Sequence, residues 1–383
     1  MANLKVNTIS GIGTEGPVLD GGLKFRSENY MTLPKGTTTE RTATSSGIST
    51  ETGSIRYNTD SNKMECYIGN KWMIVSTSSP DHDGGTRGLA IGGNTQPGGV
   101  VNKIDFINIA TTGNAQDFGD MVTKLFASAG MSSRTRAVIS GGRQTPSNTS
   151  DIQYLTMSST GNTIDWGVNP LNSLSYGSGA VSNQTRGITM GGYNSSNSQL
   201  TDIQFLTIAS LGTINDFGDI SAARGYISSV NSPTRGLCNG GSQPAQVNTI
   251  EFVTIASTGN AQDFGDLSVI GFRTGACMSS TRGLIAFGET PAGDGQKNID
   301  YVTIATLGNA KNFGDLTVGG QHPTGTSDSV RGVWLGRQNQ SPYSDNEVID
   351  FNTIATQGDA VDFGNLTAGT SMPATASTGH GGL

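Results

Sequence analysis

Six arginines recur along this chain at a nearly constant spacing and are the first residues whose repetition could do chemistry. Each belongs to the string Thr-Arg-Gly or a near copy, and they are Arg87, Arg136, Arg186, Arg235, Arg282 and Arg331. A ring of six guanidinium groups could bind an anion, because each group presents a planar fork of donors. A residue that every repeat requires, whatever its loops contain, is more typical of a scaffold.

We therefore predict that each arginine holds a hairpin turn and pairs with a nearby aspartate. The candidate partners also recur from repeat to repeat and are Asp117, Asp165, Asp216, Asp263 and Asp362. Pairs of carboxylates carry out glycoside hydrolysis, so these aspartates could indicate a glycosidase. Their recurrence at a strand position favours a structural role instead.

The residues that metal or nucleophilic catalysis requires are scarce. The chain has three histidines and three cysteines, and neither set follows a ligand spacing. These residues are His82, His322 and His380, and Cys66, Cys238 and Cys277. The paired glycines that follow the arginines lack the strand-to-helix context of a phosphate loop. We expect no catalytic residue, no metal site, no cofactor and no enzymatic activity.

The arginines mark a repeat, with intervals of 49, 50, 49, 47 and 49 residues. Each copy contains an apolar run that ends in glycine, an alternating run such as IDFINIA, a turn followed by an aromatic residue, as in GNAQDFGD, and a run of Ala, Ser and Gly. Alternating apolar and polar residues suit a strand with one buried face, and Gly with Asn or Asp supplies a tight turn. Each repeat therefore predicts four short strands.

Four short strands in a period of about 50 residues are typical of a β-propeller blade. The strand of Ala, Ser and Gly is expected to be innermost, because six strands that crowd around one axis leave room only for small side chains. The order of the landmarks resembles that of kelch repeats. We predict an all-β protein with a six-bladed, kelch-like β-propeller over residues 86–383.

The first repeat has no inner strand of its own, whereas the last repeat is followed by a surplus one. Residues 80–85 contain a proline and an Asp-Gly-Gly string, which indicate a linker. The surplus segment covers residues 368–378, and we predict that it pairs beside residues 87–93 and completes the first blade. Such an overlap joins the ends of the ring and protects both sheet edges.

Residues 1–79 do not contain the repeat and are predicted to form a small β module. Residues 53–75 indicate a three-stranded meander, and further extended pieces are expected at 18–25 and 29–37. The string GSIRYNTDSNKMECYIGNKW resembles a short β module of phage tail-fibre and other virion proteins. The RGLxxGG and DFGDL copies of the repeat are similar to virion proteins of large marine and cyanobacterial phages.

Charge and hydropathy restrict the partners that we expect. The net charge is −7 and no basic cluster is present, which disfavours nucleic-acid binding. No stretch approaches the roughly 20 apolar residues that a membrane span requires, and the N-terminus lacks the apolar segment of a secretory signal. We therefore expect no membrane insertion and synthesis in the cytoplasm of a host cell. The sequence does not decide whether the protein forms a homo-oligomer, because no heptad pattern requires one.

Two of the four connections in each repeat hardly change between copies, and the other two vary freely. Because adjacent strands alternate in direction, the variable pair falls on one face of the predicted propeller. Loops on a rigid scaffold commonly carry recognition, and Asn, Gln, Ser and Tyr suit sugar hydroxyls and polar protein surfaces. The candidate ligand-binding residues on this face are Tyr193, Asn194, His322, Arg337 and Tyr343.

The resemblances imply a virion structural protein. The leading hypothesis is a tail-fibre adhesin, whose N-terminal module attaches to other virion proteins and whose propeller binds a glycan or a protein on the host surface. The first alternative is a head or tail decoration protein, whose propeller binds other virion proteins. A carbohydrate-active enzyme is the third hypothesis.

Overall fold

The computed structural model describes residues 33–41, 52–61, 63–74, 86–145, 147–169, 171, 176–210, 212–243, 245–340 and 343–383. The chain divides into two compact units, Met1–Ser79 and Pro80–Leu383. The described residues are built of β-strands and contain no α-helix, and their one helical turn is the 3-10 turn Thr39–Arg41.

The first unit contains a four-stranded sheet in its described part. Its strands are Lys35–Gly36, Ile55–Asn58, Lys63–Ile68 and Lys71–Ile74. The last three pair antiparallel as the meander predicted for residues 53–75, and the extended piece expected at 18–25 lies outside the described residues. Glu65 is fully buried and accepts hydrogen bonds from Arg41 and Asn58. The Arg41 guanidinium holds the pKa of Glu65 below its ordinary value.

The second unit contains six four-stranded antiparallel sheets, which we number 1 to 6 and describe from the first strand to the fourth. Sheet 1 consists of Ala374–Ser377, Arg87–Ile91, Lys103–Asn108 and Gln116–Asp120. Sheet 2 consists of Ala129–Ser132, Arg136–Gln144, Ser147–Thr156 and Ile164–Val168. Sheet 3 consists of Gly179–Ser182, Arg186–Met190, Asp202–Thr207 and Asn215–Asp219.

The other three sheets repeat this arrangement. Sheet 4 consists of Ser228–Asn231, Arg235–Asn239, Thr249–Thr254 and Gln262–Asp266. Sheet 5 consists of Gly275–Met278, Arg282–Ala286, Asn298–Thr303 and Lys311–Asp315. Sheet 6 consists of Thr324–Ser327, Arg331–Leu335, Val348–Thr353 and Val361–Asn365. Short hairpins between second and third strands are Asn94–Thr95 with Gly99–Val100, Ser242–Gln243 with Ala245–Gln246, Glu289–Thr290 with Gly293–Asp294, and Gln338–Gln340 with Tyr343–Asp345.

The first strands of neighbouring sheets contact one another in the order 1 to 6, and the first strand of sheet 6 also contacts that of sheet 1. Their side chains must be small. A Cβ atom on Gly130 would lie 2.2 Å from the carbonyl oxygen of Thr375 in the adjacent sheet. The first strand of sheet 1 is the last strand of the chain, and its Ala374 lies opposite Ile91 and its Ser377 opposite Gly88.

The hydrophobic core is divided into six clusters of buried side chains, and each cluster lies between two neighbouring sheets. Between sheets 1 and 2, for example, Leu89 and Phe118 contact the same cluster as Ile139 and Leu155. Between sheets 6 and 1, Val333 lies in a cluster with Ile107 and Phe363. Since each sheet buries its faces against its neighbours, no sheet has a core of its own.

The six repeated arginines connect neighbouring sheets, and the predicted pairing with aspartates is wrong. Each Nη1 donates a hydrogen bond of 2.7–3.1 Å to a backbone carbonyl of the next sheet in the cycle. The acceptors, in the order of the arginines, are Met157, Ile208, Ile255, Ile304, Ile354 and Ile109. Each guanidinium also lies 4.3–5.3 Å from the centre of an aromatic ring in its own sheet. The proposed aspartate partners are exposed, and none forms an ion pair with these arginines in the described part of the chain.

The fourth strand of each sheet is joined to the next sheet by a second contact. At five of the six junctions the residues around the Phe-Gly string accept backbone hydrogen bonds from the next turn, as in Gly161 to Phe118 and Thr163 to Asp120. At the junction of sheets 2 and 3, the indole of Trp166 donates to the carbonyl of Gly212 instead. Gly119 has a φ of 147°, and a Cβ there would lie 2.5 Å from the carbonyl oxygen of Gly161, so the turn requires glycine.

Replacing Arg186 by alanine is predicted to lower the free energy of unfolding by about 2 kcal/mol. The change removes a charge-assisted hydrogen bond of 2.7 Å to Ile255 and the contact with the ring of Phe205. Urea unfolding followed by fluorescence measures the effect. The control is Asp216→Asn, which should leave the midpoint unchanged because Asp216 is exposed. Equal losses of unfolding free energy in the two variants would show that Arg186 pairs with Asp216 after all.

Deleting residues 368–383 is predicted to abolish the cooperative folding of the second unit. The deletion removes the strand Ala374–Ser377, exposes an edge of Arg87–Ile91 and uncovers part of the core between sheets 1 and 2. Thermal melting of the truncated chain tests this. A chain truncated after Gly379 keeps the strand and should melt cooperatively. A full-length melting profile for the longer deletion would show that the pairing does not hold the unit together.

Candidate functional site

Both variable connections of each sheet lie at the same end of the second unit. The segment before each first strand pairs through an isolated β-bridge with the segment after the second strand of the same sheet or, in sheet 2, with the end of that strand. These bridges are Asn94 with Ser371, Phe126 with Arg143, Tyr176 with Tyr193, Gly225 with Ser242, Phe272 with Glu289 and Gln321 with Gln338. We call this end the variable face.

Hydrogen bonds between loops of neighbouring sheets hold the variable face together. Asn148 of sheet 2 donates to the side chain of Asn197 of sheet 3 at 3.0 Å. Gln246 of sheet 4 donates to the carboxylate of Glu289 of sheet 5 at 2.8 Å. The backbone amide of Gln96 in sheet 1 donates to a carboxylate of sheet 6. The loops are therefore positioned by their neighbours as well as by their own strands.

One residue before each first strand adopts a left-handed backbone conformation, with φ between 53° and 65°. These residues are Ala127, Gly177, Tyr226, Arg273, His322 and Met372. Residues other than glycine are uncommon at such angles, and strained backbone is characteristic of functional sites. Backbone amides link part of this ring, from Ala127 to Met372, from Gly177 to Ala127 and from Tyr226 to Gly177. In the described part of the chain, no backbone hydrogen bond of this kind joins Arg273 to Tyr226 or His322 to Arg273.

An aromatic cluster covers the variable face between sheets 2 and 5, and we call it the aromatic patch. Its members are Phe126, Tyr176, Tyr193, Tyr226 and Phe272. Tyr176 and Tyr193 stack with their ring centres 4.8 Å apart, and Tyr226 contacts Tyr176, Tyr193 and Phe272 at 5.5–6.1 Å. Burial raises the pKa of Tyr176 and of Tyr226, so both hydroxyl groups stay protonated at neutral pH and can donate hydrogen bonds.

Two arginines flank the aromatic patch. The Arg143 guanidinium lies 5.0 Å from the ring centre of Tyr176 and 5.8 Å from that of Phe126. Arg273 lies 4.8 Å from the ring centre of Phe272 and forms an ion pair of 3.2 Å with Glu289. Both arginines are half-buried, so their charges act in a partly desolvated setting.

A channel lined by the first strands opens between these side chains. The mouth on the variable face is a cavity of about 100 Å³ whose lining includes Tyr226, Arg273 and His322. It adjoins a cavity of about 130 Å³ that is lined by small residues and by hydroxyl groups such as those of Ser128 and Thr274. The channel therefore presents polar groups inside and aromatic groups at its mouth.

The C-terminal residues lie at the opposite end of the channel, in a third cavity of about 80 Å³. His380 Nδ1 accepts a hydrogen bond from the amide of Gly382, so its Nε2 carries the proton and donates to the carbonyl of Ser132 at 3.0 Å. Gly382 approaches Ser182 and Asn231 so closely that a Cβ atom would clash with both. The C-terminal segment thus narrows this end of the channel.

Burial keeps two histidines of the second unit neutral. Burial, with a smaller effect of the Arg273 charge, lowers the pKa of His322 to about 3. Burial also lowers the pKa of His380 to about 4, although its hydrogen bond to Ser132 acts in the opposite direction. A cationic histidine is therefore not available at either end of the channel near neutral pH.

The five predicted binding residues have different environments. His322 lines the channel mouth, and its ring centre lies 5.6 Å from that of Tyr226, whereas Tyr193 is a half-buried member of the aromatic patch. Asn194 accepts hydrogen bonds from two backbone amides of its own loop and shapes that turn. Tyr343 begins a hairpin strand, and its side chain lies outside the described part of the structure.

The prediction that Arg337 contacts a ligand is wrong. Its side chain has no exposed surface, and Nη1 forms an ion pair of 2.7 Å with the equally buried Asp350. It also donates to the backbone carbonyls of Val318 and Val348. Arg337 therefore fixes the third strand of sheet 6 to the loop that enters from sheet 5.

Sequence reasoning left Arg143, Arg273 and Tyr226 out of the candidate set. Arg143 could have been found from its place directly after a Gly-Gly pair, and Arg273 and Tyr226 from their shared place in the connection that precedes a first strand. The aromatic residues of the variable face occupy two different positions of the repeat. Phe126, Tyr176 and Phe272 occupy the bridge position, whereas Tyr226 and His322 occupy the left-handed position that follows it.

Comparisons with known proteins add no relative. No model of a known protein family matches the chain, and no curated protein matches it either. Within the described residues, no group of three or more His, Cys, Asp and Glu side chains is arranged to hold a metal ion. The described residues also include no helix with the length and apolar character to cross a bilayer.

Replacing His322 by glutamine is predicted to reduce the sensitivity of the fold to acid. The folded pKa of about 3 lies below the ordinary value of 6.5, so between these pH values the unfolded chain binds a proton that the folded chain excludes. This contribution to stability is complete above pH 6.5 and is lost as the pH falls toward 3. Urea unfolding at pH 7 and at pH 4.5 should show that the free energy of unfolding falls less on acidification in the variant than in the original chain.

A suitable control is Leu307→Ala, which removes an exposed side chain from a turn at the other end of sheet 5 and should keep the original pH dependence. An unchanged loss of stability on acidification of the His322 variant would show that this histidine is protonated in the folded state.

Proposed function

We propose that the second unit is a six-bladed, kelch-like β-propeller with its closing strand supplied by the C-terminus. The support is the cyclic order of the first strands and the six clusters of core residues between neighbouring sheets. Radial repetition of small sheets leaves only short, protected edges. Such a scaffold is rigid, and its loops can vary without changing the core.

The function that this geometry supports best is recognition, and we propose that the protein is a non-enzymatic, tail-fibre-like adhesin of a phage virion. The observation that carries the proposal is the aromatic patch. Its rings are concentrated on four neighbouring sheets at the end where the loops vary, and Tyr193 and Tyr226 remain half-buried rather than fully covered. Tyrosine rings of this kind offer a flat apolar surface and a polar tip, which suit a sugar ring.

The proposal assigns the first unit to attachment. The resemblance of residues 53–72 to a virion module supports this role, and the buried Glu65 network gives that module a defined structure. The adhesin would bind other virion proteins through this unit and a host glycan or surface protein through the aromatic patch. Its location would be the virion, after synthesis in the host cytoplasm.

A second candidate function is a head or tail decoration protein whose propeller binds other virion proteins. Two exposed apolar side chains on the fourth strand of sheet 2 favour it. Ile164 is 52% exposed and Val168 is 64% exposed, and they lie on the outermost strand of the sheet. An apolar outer strand is a surface to which another protein can add a strand.

Replacing Tyr226 by glycine is predicted to lower binding of the chain to host cells at least tenfold, which is about 1.4 kcal/mol. The change removes the ring that contacts three other members of the aromatic patch. It keeps the backbone conformation, because Gly177 occupies the same position in sheet 3. Binding of the labelled chain to intact host cells, counted by flow cytometry, measures the loss.

The control is Leu307→Gly, which also removes a large side chain but lies on an exposed turn at the other end of sheet 5, away from the variable face. It should bind as the original chain does. The paired change Ile164→Ser and Val168→Ser should also leave cell binding intact. The decoration protein would become the better hypothesis if the Ile164→Ser and Val168→Ser variant failed to assemble into particles while the Tyr226→Gly variant bound cells fully.

A further inference from the structure

The charges on the variable face are not fully compensated. Three of its arginines form ion pairs with carboxylates: Arg224 with Glu251 at 2.5 Å, Arg273 with Glu289 at 3.2 Å and Arg337 with Asp350 at 2.7 Å. Arg143 has no carboxylate within ion-pair distance in the described part of the chain. The aromatic patch therefore carries an excess positive charge in a chain with a net charge of −7.

The Arg143 guanidinium is held in place by rings rather than by an anion. Phe126 and Tyr176 lie on it at 5.8 and 5.0 Å, and its backbone exchanges two hydrogen bonds with Phe126. Its Nε atom is buried and has no hydrogen-bond acceptor. A half-buried cation without a carboxylate partner is stabilised by a ligand that brings an anionic oxygen to its guanidinium.

The channel mouth supplies hydroxyl groups near the same rings. Ser128 lines the mouth cavity, and its Oγ atom is buried without a hydrogen-bond partner. Ser178 and Thr274 add hydroxyl groups to the same lining, and Tyr226 borders it. Hydroxyl groups beside an aromatic ring suit a ligand that has both a hydrogen-bonding rim and a flat face, as a sugar does.

In the described part of the chain, the C-terminal residues narrow the end of the channel that lies opposite the variable face, where a cavity of about 80 Å³ remains. His380 and Gly382 contact sheets 2, 3 and 4 there. A polymer that approached the variable face would not need to pass through the channel. It could place one residue or a side group in the mouth while the rest of the polymer lay across the aromatic patch.

We propose that the channel mouth and the aromatic patch bind a carboxylated sugar residue, with its ring against the tyrosines and its carboxylate at Arg143. This inference rests on the proposed function and specifies its ligand class. Single-stranded nucleic acid also stacks on aromatic rings, but its binding needs many cations along a backbone of phosphates. One uncompensated arginine suits one carboxylate instead.

The test is calorimetric titration of the full chain with two trisaccharides that differ in charge, trigalacturonic acid and β-1,4-galactotriose. The acidic trisaccharide is expected to bind at least tenfold more tightly, and raising NaCl from 50 to 500 mM should reduce that difference because salt screens the ion pair. Equal affinities, tighter binding of the neutral sugar or binding of neither one would overturn the proposal.

Three variants identify the groups responsible. Arg143→Gln should abolish the preference for the acidic trisaccharide, whereas Arg143→Lys should retain part of it because the charge remains. The control is Lys124→Gln, which removes an exposed cation from the same face. Arg224→Gln would not be suitable, because that arginine is buried in an ion pair. Unfolding midpoints of all three variants show whether they are folded.

The outcome is distinguishable from failure of the adhesin proposal. If the original chain binds host cells but has no preference for the acidic trisaccharide, the adhesin remains and the carboxylated sugar is wrong. If Lys124→Gln removes the preference as completely as Arg143→Gln does, the effect is general charge attraction, and the site at Arg143 is wrong. A tighter response to single-stranded oligodeoxythymidine than to the trisaccharide would assign the rings to nucleic acid.

Discussion

The contact between one sheet and the next is the interaction on which the second unit depends. The sheets are small, and each buries its faces only against its neighbours, so the hydrophobic effect acts between sheets rather than within them. The repeated arginine supports this contact by donating to a carbonyl of the following sheet, as Arg186 does to Ile255. Because this chain of contacts must end where it began, the C-terminal strand Ala374–Ser377 is required to close it.

Closure of the cycle also explains how the variable face can be both diverse and ordered. The arginines and the Phe-Gly turns connect the sheets without using the variable loops. Those loops are free to differ, and where they meet they form links of their own, such as Asn148 to Asn197. A scaffold that is complete without its loops can accept strained residues such as Tyr226 at the mouth of the channel.

Charge pairing separates the structural arginines of the variable face from the candidate binding residues. Arg337 and Asp350 are buried together, and the pair secures the approach of one sheet to the next. Arg143 lies among rings with its charge uncompensated in the described structure. Both are arginines near a Gly-rich segment of the repeat, so only the identity of their neighbours distinguishes their roles.

The sequence by itself determined the number of repeats, the four strands of each and the partner of the last strand. Period and alternation carry that information, because a strand must alternate and a repeated core must repeat its apolar positions. The turn glycines could be predicted for the same reason, since at five of the six junctions the glycine equivalent to Gly119 faces a carbonyl of the next sheet, and Gly167 is the exception among the described residues. At these strand and turn positions, the local sequence pattern and the tertiary packing require the same residue types.

Only the tertiary structure decided what the charged and aromatic side chains contact. The arginine of each repeat was predicted to bind a nearby aspartate, yet it reaches a carbonyl of the next sheet, about 70 residues away in five cases and 222 residues away in the last. Arg337 looked like a surface residue of a variable loop and is buried instead. A linear pattern specifies which face of a strand is covered, but the partner of a long polar side chain depends on how neighbouring sheets meet in space.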